Sequence, residues 1–309
     1  MLGGDLFHEN KPSSRVLTRC VDLFRKYTLG DGLIQFKIVS DQEVNFGHSS
    51  QFKHVNFEDT NLNVKIPVFS IHGNHDDPNT KDAVSVLDTL AAAGLINYFG
   101  KQSNIDAVRV SPVLMVKRDL QLAMYGIGSL PEERFHRHIA AGRVQFLAME
   151  QPEEWFKLFV VHQNRVKHGS KYLPENCLTS LPDLVVWGHE HESFTKADYN
   201  SQQGFYVYQP GSTVATSLCP SEAVPKHVGL LHLQRDSTGD FRIKLDPIPL
   251  RTVRQFYFKT VDLDYHFISV RNIRDEMDEK FNLKLLCHFF CRLNEQTRRH
   301  RIWKNVVSN

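Results

Sequence analysis

The chain has 309 residues, 41% of them hydrophobic, enough for one large domain or a domain with a smaller partner. Its 37 basic and 35 acidic residues leave a formal charge of +2, so any polyanion site must be a local patch and not a global field. Five scattered cysteines offer no disulfide framework and point to a reducing compartment, and the absence of a signal-peptide pattern or a run of about 18 apolar residues predicts a soluble, non-exported chain with no membrane partner.

In chain order, MLGG reads as the end of a buried strand running into the loop DLFHENKPS. Pro12 suits a first helical turn, and Val16, Leu17, Cys20, Leu23, Phe24 and Tyr27 at three- and four-residue spacing predict a helix over Ser13–Tyr27. Residues 29–63 are polar and dotted with aromatics, without clear period. That is long for a connection inside a compact domain, so the segment reads as an insertion of the kind that often binds partners. IPVFSI (Ile66–Ile71) is a short strand stopping at His72-Gly73, and Asp82–Leu95 reads as a helix ending at a glycine.

The alternation continues. QLAMYGIG is a strand, PEERFHRHIA a helix from Pro131 to about Ala141, and FKLFVVHQN and DLVVWGHEHE are strands that run into loops. GFYVYQPGS is a strand into a turn, and HVGLLHLQ with FRIKLDPI reads as an antiparallel pair. Interleaved strands and helices followed by strand-rich sequence predict an α/β sandwich of two sheets with helices outside. Ile273, Met277, Phe281, Leu285, Phe289 and Leu293 predict one further helix, in which Cys287 and Cys291 read as core packing; the basic end RRHRIWKN reads as a solvated terminus.

Four apolar runs stop at residues able to bind a metal: Asp5 after LGG, Asn74-His75 after SIHG, His162 after LFVV, and His189 with His191 after LVVWG. In open α/β sheets the ligand site lies beyond the carboxyl ends of the strands, so these residues are expected to converge. A lone histidine at a strand end is ordinarily a polar loop residue; GD, GNHD and GHEH, each after a strand, carry more weight together. A mixed oxygen and nitrogen set without thiolate suits Mn, Fe or Zn. Two such ions can clamp both ends of an in-line phosphoryl displacement. His75, beside Asn74, then has an imidazole left to protonate a leaving oxygen.

The ordered motifs resemble the calcineurin-like metallophosphoesterase superfamily. GGDLFHENKPS, IPVFSIHGNHDDP, LFVVHQNRVKHGS, LVVWGHEHE, QPGSTVATSL and EAVPKHVGLL, covering roughly Leu2 to Asp264, resemble the eukaryotic double-strand-break repair nucleases of the "meiotic recombination eleven" family, related to bacterial SbcD. The resemblance implies a four-layer α/β/β/α sandwich over residues 1–250, with the start of a capping domain and a divergent helical tail over 251–309. It implies two Mn ions. Asp5 would bridge them, Asn74, His162 and His189 would hold one, and His191 would help hold the other. His75 would be the catalytic acid, and His8 would place the phosphate. It implies 3′ to 5′ exonuclease and endonuclease action on DNA ends in the nucleus, and homodimerisation through the helices at Ser13–Tyr27 and Pro131–Ala141. The partners it implies are an SMC-like ABC ATPase of the Rad-fifty type and nibrin, the latter at residues 29–63. Arg165, Lys167 and His168 follow a metal ligand directly and are candidates for DNA contact; a solvated basic face explains them equally.

One departure stands out. The family carries an Asp-x-His motif at the end of its first strand, and no residues of this sequence match it. A strand–helix unit of roughly 30 residues or more is expected before Met1. The first ion would keep only Asp5 and His191, so catalysis by this chain is expected to be impaired. Two further readings stay open: a catalytically dead module that dimerises or holds nibrin, and a phosphomonoesterase of the same superfamily, against which GDLFHENKPS argues.

Overall fold

The computed structural model describes residues 1–49, 52–78, 82–102, 104, 106–165, 172–178 and 181–258. The helix expected around residues 273–293, the pair Cys287 and Cys291, and the basic end lie outside them.

The elements run β1 (Leu2–Gly3), α1 (Ser14–Thr28), β2 (Lys37–Ile38), α2 (Gln42–Phe46), β3 (Phe69–Ile71), α3 (Val86–Ala92), β4 (Asn97–Tyr98), β5 (Val108–Val110), β6 (Val113–Lys117) and β7 (Leu120–Ile127). There follow α4 (Glu132–Ala140), β8 (Val144–Phe146), β9 (Phe156–His162), β10 (Leu184–Gly188), β11 (Asp198–Asn200), β12 (Phe205–Tyr208), β13 (His227–Arg235) and β14 (Phe241–Pro249).

Side-chain alternation builds the layers. Along β7, β9 and β10, Ala123, Tyr125, Ile127, Phe159, Val161, Val185 and Trp187 face one side, where Phe135 of α4 and Val108 and Val110 of β5 cover them. Their neighbours Met124, Leu158, Val160 and Leu184 face the other side, against Phe69 and Ile71 of β3 and Leu231, Leu233, Ile243 and Leu245 of the β13–β14 hairpin. Both faces of the central strands are therefore buried, as parallel strands require. The large sheet has the order β11-β12-β10-β9-β7-β6-β2, and the small one β1-β3-β4. The outer face of the small sheet is covered by Leu87 and Leu90 of α3 and Leu17, Cys20, Val21 and Phe24 of α1. The result is helix, sheet, sheet, helix, the α/β/β/α sandwich expected. The antiparallel pairing of β13 with β14 is also as expected, from His227↔Pro249 to Arg235↔Phe241.

The helices differ from expectation at their ends. Ser13 caps α1 through its hydroxyl, which accepts from the Val16 N–H. The helix expected over Asp82–Leu95 is shorter. Ser85 and Asp88 form a capping box that starts α3 at Val86, and Ala83 has φ +51°, outside helical space. Residues 29–63, aperiodic in sequence, carry β2, α2 and a short 3-10 turn. Their ends meet at the Leu29↔Val64 bridge, and Phe46 and Val55 are buried between the two sheets.

β1 is an edge strand, paired only with β3. Beside it a cavity of about 700 Å³ runs between the sheets, lined by Leu2, Leu122, Leu158, Leu184 and Val186 and opening at Asp5, His162, His189 and His191. No described helix is long and apolar enough to cross a membrane.

Candidate metal centre

β9 and β10 run parallel, with Gly188 opposite His162. β1 and β3 are also parallel, with Gly3 opposite Ile71. Four strand ends therefore deliver their following loops to one edge of the sandwich.

Four candidate ligand atoms face one another there. His162 Nε2 lies 3.2 Å from Asp5 Oδ2 and 3.2 Å from Asn74 Oδ1. His189 Nδ1 lies 2.9 Å from the same Asn74 oxygen. An octahedral ion with bonds of about 2.1 Å has ligand edges of about 3.0 Å, so these spacings match a coordination shell. The chemistry matches too: a carboxylate, an amide oxygen and two imidazole nitrogens offer lone pairs to a common point, an arrangement that a cation satisfies. Among the described residues, Asp5, His162 and His189 are the one group of three or more His, Cys, Asp or Glu able to hold an ion. The residues fit a divalent metal.

The surroundings fix this set. His162 is buried, and its Nδ1 lies 2.7 Å from the Gly3 carbonyl, so Nδ1 carries the proton and Nε2 is left for a metal. The His75 N–H donates to Asp5 Oδ1 at 2.9 Å. Burial acts to raise the Asp5 pKa, but the neighbouring His162 and the His75 N–H outweigh it and hold the carboxyl below its ordinary value. Burial first, then the neighbouring His162, lowers His189, which favours the neutral imidazole that a metal takes. Asp5 (φ +53°) and His189 (φ +77°) both occupy left-handed backbone, a strain of about 1–3 kcal/mol each that clusters at functional sites. Glycine is obligatory at 73, where an added Cβ would lie 2.0 Å from Asp5 Oδ1.

Asp76, buried completely, was not singled out in the sequence, although it follows GNH directly. Its Oδ1 accepts from the Gly73 N–H at 2.7 Å, and its Oδ2 from Leu6 and Phe7 at 2.8 and 3.3 Å. It ties the Asp5 loop to the Asn74 loop. His72 was missed as well. Burial pushes it down to about 3; Nε2 meets the Ser129 carbonyl, and the Tyr98 hydroxyl lies 2.7 Å from Nδ1.

The other expected site residues divide. His75 and His8 stack with ring centroids 4.7 Å apart, and His75 Nδ1 lies 3.0 Å from the His8 carbonyl, so Nδ1 is the tethered nitrogen of that ring. His191 lines the same cavity but stands outside the ligand group; its Nδ1 turns to Thr216 and Glu222. Arg165 is engaged inside the fold. Its guanidinium donates to Glu175 and Gln209 at 2.9 and 3.0 Å and lies over the Trp187 ring. Lys167 and His168 lie outside the described residues.

Residues 1–193 match the calcineurin-like phosphoesterase family. The chain is 51% identical over 268 residues to the double-strand break repair protein MRE11 of Mus musculus, covering 86% of this chain and 37% of that protein. It is 51% identical to MRE11 of Homo sapiens over 268 residues, with the same coverage of 86% and 37%. It is 44% identical to MRE11 of Coprinopsis cinerea over 276 residues, 85% of this chain and 37% of that protein. The chain thus spans about 37% of the length of these curated relatives. It belongs to the calcineurin-like phosphoesterase family.

Proposed function

We propose that the chain carries the phosphodiesterase module, over residues 1–250, of a double-strand-break repair nuclease that trims DNA ends 3′ to 5′ and nicks them internally. The observation that carries this reading is the convergence of Asp5, Asn74, His162 and His189 at ligand spacing beside the stacked His8–His75 pair. The mixed oxygen and nitrogen set, free of thiolate, suits Mn²⁺. When bound, such an ion polarises a phosphodiester and makes water a better nucleophile. The proposal includes a second ion: Asp5 would serve both, and His191 would help hold the second.

The chain's own residues supply the rest. His75 Nδ1 is tethered to the His8 carbonyl, so its Nε2 is the atom placed to give a proton to the leaving oxygen. His8, on the exposed face of the stack, is placed to steer the phosphate. The test is release of nucleotides from a 3′-labelled duplex by the full chain with Mn²⁺. Turnover lost in His75→Gln, with Mn²⁺ binding intact, supports the assignment; equal turnover in His75→Gln overturns it.

A second reading rests on one observation. Among the described residues, one ligand group forms, and His191 stands outside it. A one-ion centre favours a binding module over a two-metal nuclease. Elemental analysis decides: two Mn per chain with turnover removes the module, and one Mn without turnover removes the two-metal mechanism for this chain.

The proposed setting is a nuclear complex: a homodimer through α1 and α4, an SMC-like ABC ATPase, and nibrin on residues 29–63. Val16, Leu23 and Tyr27 of α1 are exposed, as a dimer face needs. Deleting 31–62 would strip the buried Phe46 and Val55 from the core, so exposed positions make the cleaner probe. Val44→Glu with Phe52→Glu should abolish nibrin pull-down and leave the dimer intact; undiminished pull-down removes the assignment.

A further inference from the structure

Two loops meet beside the metal centre: the one carrying His189 and His191, and the GSTVATS turn at residues 211–217. A buried ion pair joins them. Glu222 and Lys226 are 2% and 1% exposed, with Lys226 Nζ 3.3 Å from Glu222 Oε2. Buried pairs of this kind contribute little net stability, so their orienting role is the informative one.

Both ends of His191 are held by this pair. Its backbone carbonyl accepts from Lys226 Nζ at 2.9 Å. Its Nδ1 lies 2.6 Å from Thr216 Oγ1 and 3.3 Å from Glu222 Oε1. The proton positions follow by counting donors. Glu222 Oε1 accepts from the Ser217 N–H at 2.9 Å, and Oε2 from the Thr216 N–H at 3.0 Å and from the Lys226 ammonium. The group is thus a carboxylate that only accepts. The Thr216 hydroxyl has one proton and, 2.9 Å from Glu222 Oε1, donates it there. Its oxygen must then accept from His191, so Nδ1 bears the imidazole proton. Nε2 is left with a lone pair, and among the described residues it has no protein partner. His191 lines the cavity that also holds Asp5, His162 and His189.

We infer that Glu222, acting through the Thr216 hydroxyl, is a positioning residue that locks His191 in the Nδ1–H form and presents Nε2 to the cavity as a ligand for a divalent cation. A carboxylate behind a ligating histidine is a general means of fixing its tautomer and ring orientation. The identity of what Nε2 holds rests on the metal-centre reading above; the tautomer rests on the hydrogen bonds alone.

The test is the long-range ¹H–¹⁵N spectrum of the histidine rings in the full chain without metal, with His191 identified by the signal missing in His191→Gln. The expected spectrum has Nδ1 protonated and Nε2 bare. Thr216 is exposed, so Thr216→Val leaves the core untouched while removing the relay; it should give a mixture of tautomers, and Thr216→Ser should restore the single form. An Nε2–H form in the native chain, or an unchanged spectrum in Thr216→Val, overturns the inference. Added Mn²⁺ should broaden the His191 signals and bind at least about tenfold more weakly to Thr216→Val than to Thr216→Ser. A fixed tautomer with no broadening by Mn²⁺ overturns the cation assignment for His191 and leaves the positioning role standing.

Discussion

His162 Nδ1 sits 2.7 Å from the carbonyl oxygen of Gly3, a hydrogen bond between residues 159 positions apart that links the two sheets at the metal centre. It turns His162 Nε2 toward Asp5 and Asn74.

That contact depends on a third residue. A Cβ on Gly188 would lie 2.2 Å from the Gly3 oxygen and 2.9 Å from His162 Nδ1. Gly188→Ala should therefore weaken Mn²⁺ binding by about 10–100-fold although no ligating residue is replaced. Isothermal titration checks this, and an unaltered affinity in the folded variant counts against the role given to the His162–Gly3 bond.

Asp76 ties two ligand loops together with three accepted backbone N–H bonds. Asp76→Ala leaves those donors unsatisfied at about 1–3 kcal/mol for each buried one, so a loss of about 3 kcal/mol or more is expected. Urea unfolding measures it. A loss under about 1 kcal/mol would show that water replaces the carboxylate without difficulty.

His48 gives a pH prediction away from the metal centre. It packs edge-on against Tyr98, near Asp88 and Lys101. Burial pushes it down to about 4, the Asp88 charge opposing and the Lys101 charge assisting. Between about pH 6.5 and pH 4 the unfolded chain binds a proton that the folded one refuses. Stability linked to His48 is therefore full above pH 6.5 and falls as pH drops toward 4. His48→Gln should flatten the urea midpoint between pH 7.5 and pH 5; the same slope in both proteins would assign the pH dependence elsewhere.

Arg165 separates a structural role from a DNA-contact role. Its hydrogen bonds to Glu175 and Gln209 span three loops. Arg165→Met should lower stability by about 1–3 kcal/mol, as expected for charge-assisted bonds, and leave the salt dependence of DNA binding unchanged. A shallower salt slope with full stability would return Arg165 to the DNA-contact set.

The sequence by itself determined the layered α/β architecture, the longer strands of its core, and Asp5, Asn74, His162 and His189 as residues that meet; His191, expected with them, stands outside their group. Buried strands must be apolar and must stop where polar loops begin, so LFVV-His162 and LVVWG-His189 mark both strand and site. It could not give the starts of the helices where capping decides, as at Ser85 and Asp88. The short strands β2, β4, β5, β8 and β11 were also illegible, because two or three residues carry no period and pair only once the sheets exist, and the five-residue β6 was not read either. At the site, the ligand types were legible and the supporting groups were not. Asp76, Thr216, Glu222 and Lys226 act through hydrogen bonds to residues far along the chain or across a loop, and nothing in local spacing announces such partners. Which nitrogen of His162 and of His191 is left for a cation is likewise decided by the carbonyl, hydroxyl or carboxylate behind the ring, and those are brought there by tertiary structure alone.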